Sequence, residues 1–164
     1  MPKEKNWLQR RLIEPLLSLL RQGMSPARLA LCVAIGIVIG NIPILGVSTI
    51  FCTFIALIFR LNLPTMQLVQ GAMAPTQVLL IIPFVRVGEW IFRVPPQALS
   101  IKSALALVAQ GVWHAVVVLR DAIFHGFFAW ALSAPFFIYF FYRLLTPLFE
   151  QAALQMNARP SSDA

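Results

Sequence analysis

The polar side chains that could do chemistry in this sequence lie around two proline-containing breaks in apolar segments. The first break, residues 40–46, reads Gly-Asn-Ile-Pro-Ile-Leu-Gly and is followed by Ser48. The second break contains Ala74-Pro75 and is followed by Thr76 and Gln77. A helix that starts after such a break presents free backbone N–H groups and about half a positive charge. Two such starts that meet would bind an anion, for example a phosphate group.

The predicted anion site combines residues from both breaks with two flanking basic side chains. Its lining consists of Asn41, Pro43, Gly46, Ser48, Pro75, Thr76 and Gln77, and Arg60 and Arg86 attract the anion. The alternative interpretation is that the same polar groups bond to one another and lock two segments of the chain together.

Few other residues are candidates for catalysis or metal binding. Within residues 15–149 the acidic side chains are Glu89 and Asp121, which leaves few groups for general acid–base catalysis. His114 and His125 would be about 16 Å apart along one helix, too far to share a metal ion. We therefore expect neither an enzyme nor a bound cofactor or metal.

The composition predicts an all-α integral membrane protein. Of the 164 residues, 59% are hydrophobic and 12% are charged, and the mean hydropathy is +0.79. Residues 29–59, 61–85, 103–119 and 122–142 carry no Asp, Glu, Lys or Arg. A helix needs roughly 20 apolar residues to cross a bilayer. This pattern excludes a soluble enzyme, a secreted disulfide scaffold and a disordered tail.

Each proline-containing stretch predicts a re-entrant helical hairpin, in which the chain enters the membrane and returns to the same side. Residues 29–59 are too long for one ordinary crossing, and the glycines and proline near their centre weaken helix. Residues 61–85 repeat this design around Ala74-Pro75. Residues 103–119 and 122–142 follow as one or two C-terminal transmembrane helices, since the first is short enough to lie along the interface instead.

The predicted organisation is an amphipathic cytoplasmic segment over residues 1–24, a membrane domain over 25–145 and a polar tail over 146–164. Leucines from Leu8 to Leu19 recur at helical spacing opposite a polar face, which is typical of a helix in the plane of the membrane surface. The net charge of +7 is explained by topology, because Lys and Arg are enriched on cytoplasmic flanks. We expect a multi-pass protein with a cytoplasmic N-terminus and no nucleic-acid binding.

Small residues predict close helix packing. Gly36 and Gly40 form a GxxxG pattern, which permits two helices to approach closely. A chain with so few spans would need a second copy to enclose a pathway, so a homo-oligomer is expected.

Several motifs between Ser25 and Gly88 together carry a family resemblance. They are Ser25-Pro26, the run 30–40 with its two glycines, Pro43 with Gly46, the segment 60–64 (Arg-Leu-Asn-Leu-Pro), Pro75 and Arg86-Val87-Gly88. With these the sequence resembles the bacterial membrane proteins called domain of unknown function 2062. That family usually has Asn-Pro at the second break, so Ala74 here lacks a polar cap. The resemblance implies a protein of the bacterial cytoplasmic (inner) membrane and implies no activity.

The function predicted from the sequence is transport or flipping of a small or lipid-linked anion through a site between the two breaks. Broken helices at corresponding positions are typical of transporter binding sites. The alternative is a non-catalytic membrane scaffold or assembly factor. The expected partners are the lipid bilayer, an anionic or lipid-phosphate ligand and a second copy of the chain.

Overall fold

The computed structural model of the protein describes residues 14–44, 46–95 and 101–157. Regular structure in these residues is entirely α-helical, which confirms the predicted all-helical architecture. The helices are α1 (Glu14–Arg21), α2 (Pro26–Gly40), α3 (Ser48–Ile58), α4 (Leu63–Ala72), α5 (Ala74–Phe92), α6 (Ile101–Gln110) and α7 (Val112–Asn157). Residues 1–13 of the predicted amphipathic segment and 158–164 of the predicted tail lie outside the described residues.

Local chemistry explains where the helices around the first break begin and end. Pro26 starts α2, and proline suits the first turn because its missing N–H has no helical partner there. Asn41 ends α2, since its backbone N–H bonds to the Val38 carbonyl (3.2 Å) and tightens the last turn. Asn62 begins α4, because its Oδ1 accepts hydrogen bonds from the Thr65 N–H (3.0 Å) and hydroxyl (2.7 Å).

The chain reverses direction at the first break. Arg28 Nη2, near the start of α2, donates a hydrogen bond to the carbonyl of Arg60 (2.6 Å), which lies just beyond the end of α3. Cys32 and Cys52 are both fully buried in the core between these helices, and both thiols are free. The cysteines therefore act as small apolar residues.

The second apolar stretch continues in the direction of α2. A β-carbon added at Gly36 would be 3.0 Å from Val69 Cβ, and one added at Gly40 would be 2.8 Å from Met73 Cβ. A step of four residues along α2, from Gly36 to Gly40, corresponds to a step of four residues in the same direction from Val69 to Met73. α4 is therefore parallel to α2. α5 then starts after a single intervening residue, Met73.

The far part of α5 lies beyond the end of α2. A β-carbon added at Gly126 would be 3.1 Å from Val85 Cγ2 and 3.6 Å from Pro43, which follows α2. Arg86 is therefore at the opposite end of α2 from Arg60, whereas a hairpin over residues 61–85 would have placed both arginines at the same end. The second stretch does not fold back.

Pro75 explains why the second stretch continues. It lies in the first turn of α5, where a missing N–H costs no helical hydrogen bond. Met73 keeps right-handed helical dihedrals (φ −82°, ψ −6°), and its carbonyl still accepts the Gln77 N–H (2.8 Å). The chain therefore passes from α4 into α5 through one residue and does not reverse direction.

The helix boundary in the C-terminal region differs from the one predicted between residues 103–119 and 122–142, because α6 ends at Gln110 and one long helix, α7, covers the rest. It has 46 residues and would be about 69 Å long. Arg120 and Asp121 lie inside it, and the break between α6 and α7 is at Gly111, which has φ +139°. Charged residues are compatible with helix, whereas a positive φ favours glycine. α7 continues to Asn157, into the predicted tail.

α7 packs antiparallel to α2. Trp130 Nε1 donates a hydrogen bond to the Val38 carbonyl (2.9 Å) near the end of α2. Farther along α7, Leu145 packs against the cluster that contains Leu29, near the start of α2. Together with α5, these two helices enclose the space described below.

Large apolar side chains cover much of the exterior. On α3, Ile50, Phe54 and Leu57 recur at helical spacing and are 68%, 63% and 71% exposed. Among the described residues, Ala74–Phe92 and Trp113–Met156 are long and apolar enough to cross a membrane, by length and composition. An extensive exposed apolar surface marks contact with lipid or with another protein.

Candidate functional site

The polar side chains at the first break bond mainly to the chain itself. Gln77 Nε2 donates to the Ile42 carbonyl (2.7 Å) and more weakly to the Ile44 carbonyl (3.3 Å). Gln70 Nε2 donates to Ser48 Oγ (3.0 Å). These bonds satisfy buried groups that would otherwise lack partners, and they tie α4 and α5 to the loop between α2 and α3.

The two helix starts of the predicted anion site differ in kind. α3 begins after a real break, at Ser48, whereas α5 begins in continuity with α4 through Met73. In both helices the carbonyl of the preceding residue accepts the first helical hydrogen bond, from Phe51 to Val47 and from Gln77 to Met73. The two starts therefore differ in the chain that precedes them, a loop before α3 and a single residue before α5.

The remaining predicted lining residues separate into several environments. Pro43 is buried beside Gly126, and Gly46 is exposed with φ +84°. Pro75 is exposed in the first turn of α5. Asn41 and Thr76 come together in a groove between α2, α5 and α7.

This groove is a cavity of about 560 Å³. α2 contributes Ile37 and Asn41, α5 contributes Thr76 and Leu80, and α7 contributes Phe137 among other side chains. The described side chains of the lining are almost all apolar, and none of them is charged. Concave apolar sites of this size, with a few polar groups, are typical of small-molecule binding sites.

Asn41 is the most constrained polar residue of the groove. Its side chain is buried, and Nδ2 donates a hydrogen bond to the Ile37 carbonyl (2.8 Å). Its Oδ1 is also buried and accepts no hydrogen bond from the described residues. An acceptor buried without a partner costs about 1 to 3 kcal/mol.

A second cavity, of about 650 Å³, lies along α5 beyond the groove. Arg86, Glu89, Trp90 and Arg93 are among its lining residues. Arg86 Nη1 donates to Glu89 Oε2 (2.9 Å), and the Glu89 side chain is only 3% exposed. We call this the arginine cavity.

The predicted basic residues thus have different surroundings. Arg60 has φ +51°, and its carbonyl accepts a hydrogen bond from Arg28. It lies at the end of α2 that is far from the arginine cavity. Arg86 is held by a buried carboxylate. The burial of Glu89 could not be predicted from the sequence, since a spacing of three residues from Arg86 fits an exposed pair equally well.

Glycines set the spacing of the helices around the groove. Gly36 and Gly40 pack directly on α4, as their GxxxG spacing suggested. The contact at Gly88 is closer still, because a β-carbon there would overlap the backbone carbonyl of His125 on α7. From the sequence, Gly88 contributed only to the family resemblance, and its role in bringing α5 and α7 together was not predicted.

The described part of the chain contains no cluster of His, Cys, Asp and Glu that could hold a metal ion. It forms an all-helical bundle with two helices of membrane-spanning length and an apolar groove between three helices. The chain belongs to a bacterial family: the family model described as "Uncharacterized protein conserved in bacteria (DUF2062)" matches residues 9–155. This match extends well beyond the segment 25–88 that carries the resemblance. No curated protein and no solved structure matches the chain significantly.

Proposed function

We propose that this protein is embedded in the bacterial cytoplasmic membrane, with its N-terminus in the cytoplasm, and that it transports or flips a lipid-linked anion. The apolar exterior of α3, α5 and α7 supports the embedding, because exposing it to water would be unfavourable. The basic residues before α2 support the orientation.

The observation that carries the transport proposal is the succession of two cavities along α5. Val87 lines the groove, and Trp90 and Ile91, about one helical turn later, line the arginine cavity. A lipid-linked anion needs the same succession: an apolar space for its hydrocarbon part and cationic side chains for its head.

Electrostatics favour an anion in the second cavity. Arg86 and Arg93 line it together with one acid, Glu89, so the charged side chains among its described lining residues sum to one positive charge. Glu89 orients Arg86, and Arg93 at the end of α5 is exposed. Guanidinium groups bind phosphate oxygens in a planar, two-point geometry.

The test is lipid translocation in proteoliposomes. Purified protein is reconstituted with fluorescent phosphatidylglycerol, and a membrane-impermeant reductant reports the fraction of probe that reaches the outer leaflet. We expect faster translocation than in empty liposomes, and a slower rate for the double variant Arg86→Gln/Arg93→Gln. Translocation no faster than in empty liposomes contradicts the proposal.

A membrane scaffold or assembly factor is the second candidate, and a specific observation favours it. The side-chain amides of Gln70 and Gln77 bond to the chain itself and hold α4 and α5 to the first break, which suits a rigid element. A scaffold predicts stable co-purification with one partner protein and no translocation of lipid by the protein alone. Inactive proteoliposomes together with a stoichiometric partner would select this candidate.

A further inference from the structure

We infer that the groove binds a lipid that carries a neutral hydroxyl group, and that Asn41 Oδ1 accepts the hydrogen bond from this hydroxyl. The inference rests on the membrane embedding in the proposed function and is independent of transport. It is carried by one buried acceptor and by the chemistry of the walls around it.

The orientation of the Asn41 amide is determined by the end of α2. In a regular helix the Ile37 carbonyl would accept the backbone N–H of Asn41, but that N–H bonds to Val38 instead (3.2 Å). The Ile37 carbonyl receives Asn41 Nδ2 (2.8 Å). A flipped amide would place two acceptors against each other, so Nδ2 must face Ile37 and Oδ1 must face away.

The orphan acceptor is well removed from solvent. Asn41 is 8% exposed, and it lines the groove. A buried water usually makes about three hydrogen bonds, and the polar side chains of the described lining besides Asn41 are Thr76 and Ser133. Of the other polar lining residues, Ser133 already donates its hydroxyl to the carbonyls of Ala129 and Trp130. A ligand hydroxyl needs only the one acceptor.

The walls of the groove require the part of the ligand that lies in the groove to be neutral. An acceptor oxygen repels an anion, and the lining residues that the structure describes include no acidic side chain to neutralise an ammonium group. A buried charge without a partner is very unfavourable. Hydrocarbon next to Leu80, Phe84 and Phe137 suits the apolar walls, and a hydroxyl at Asn41 satisfies its buried acceptor.

Two probes test whether a ligand hydroxyl bonds to Asn41: a photoactivatable long-chain alcohol and its methyl ether. The ether has the same chain and the same oxygen but no hydrogen-bond donor. Full-length protein in phosphatidylcholine nanodiscs is irradiated with each, and labelled peptides are identified by mass spectrometry. We expect the alcohol to label the groove segments of α2, α5 and α7 about tenfold more than the ether, equivalent to about 1.4 kcal/mol.

Variants distinguish loss of the Asn41 hydrogen bond from loss of the folded structure. Asn41→Leu should reduce labelling by the alcohol to the level of the ether, and a melting curve reports whether the variant is folded. Leu80→Trp fills the groove without changing Asn41 and should abolish labelling by both probes, whereas Leu79→Trp, on the exposed side of α5, should not. Equal labelling by alcohol and ether in the wild-type protein, or labelling outside the groove, overturns the inference.

The same experiment distinguishes this inference from the proposed transport. Preference for the alcohol without lipid translocation supports the site and contradicts transport. Extraction of the chain from native membranes by alkaline carbonate contradicts the embedding on which both depend.

Discussion

Gly88→Ala should destabilise the protein more than any other glycine-to-alanine change described here. The new β-carbon would overlap the carbonyl carbon and oxygen of His125, and backbone atoms cannot rotate away as a flexible side chain can. α5 and α7 would have to move apart along their whole contact. Overpacking of this kind costs about 3 kcal/mol.

For a chain of this length, 1 kcal/mol corresponds to about 2 to 4 °C in Tm, so the expected fall is about 6 to 12 °C. The assay is thermal unfolding in a mild detergent, followed by tryptophan fluorescence. Gly71→Ala is the matched control: Gly71 lies in α4 with open space around it, and alanine there should raise Tm by about 2 °C. A Gly88→Ala protein that melts within 2 °C of the wild type would refute the close α5–α7 contact.

Two further substitutions test the polar contacts at the ends of α2 and α5. Gln77→Met keeps the shape of the side chain but removes the donor to the Ile42 and Ile44 carbonyls, and should cost about 1 to 3 kcal/mol in thermal stability. Arg86→Gln removes the ion pair of the buried Glu89 carboxylate; because Arg86 is 41% exposed, we expect a loss of about 1 to 2 kcal/mol, measured as a shift in the same melting curves.

Each of these two variants has a control of the same chemical type. Gln67→Met removes only long bonds, of 3.4 and 3.5 Å, and should change stability by less than Gln77→Met. Arg120→Gln removes an exposed pair with Asp121 and should cost less than about 0.5 kcal/mol. Equal effects within either pair would contradict the assigned contacts.

The helical class and the first reversal could be predicted because both depend on local composition. Gly40, Asn41 and Pro43 together end a helix in almost any context. The course of the second stretch could not be predicted, because Pro75 breaks a helix only when it lies beyond the first turn, and the sequence does not show where α5 begins. For the same reason the boundary between the last two helices was predicted at the wrong place. Arg120-Asp121 interrupts the run of hydrophobic residues, whereas the helix itself is interrupted at Gly111.

The candidate site was only partly accessible from the sequence for a related reason. Asn41 and Thr76 were selected for their positions beside the breaks, and both do line the groove. The burial of Glu89, the close approach at Gly88 and the unpaired Asn41 Oδ1 depend on the packing of helices that are distant in sequence. Spacing along one helix contains no information about what a second helix covers.

The most direct test of the account is whether filling the groove stops lipid translocation. Leu80 lines the groove, while its neighbour Leu79 is 65% exposed on the outside of α5, so tryptophan at either position makes the same chemical change in different places. We predict that Leu80→Trp translocates fluorescent phosphatidylglycerol no faster than empty liposomes while Leu79→Trp keeps the wild-type rate. Equal rates for the two folded variants would contradict a lipid pathway through the groove.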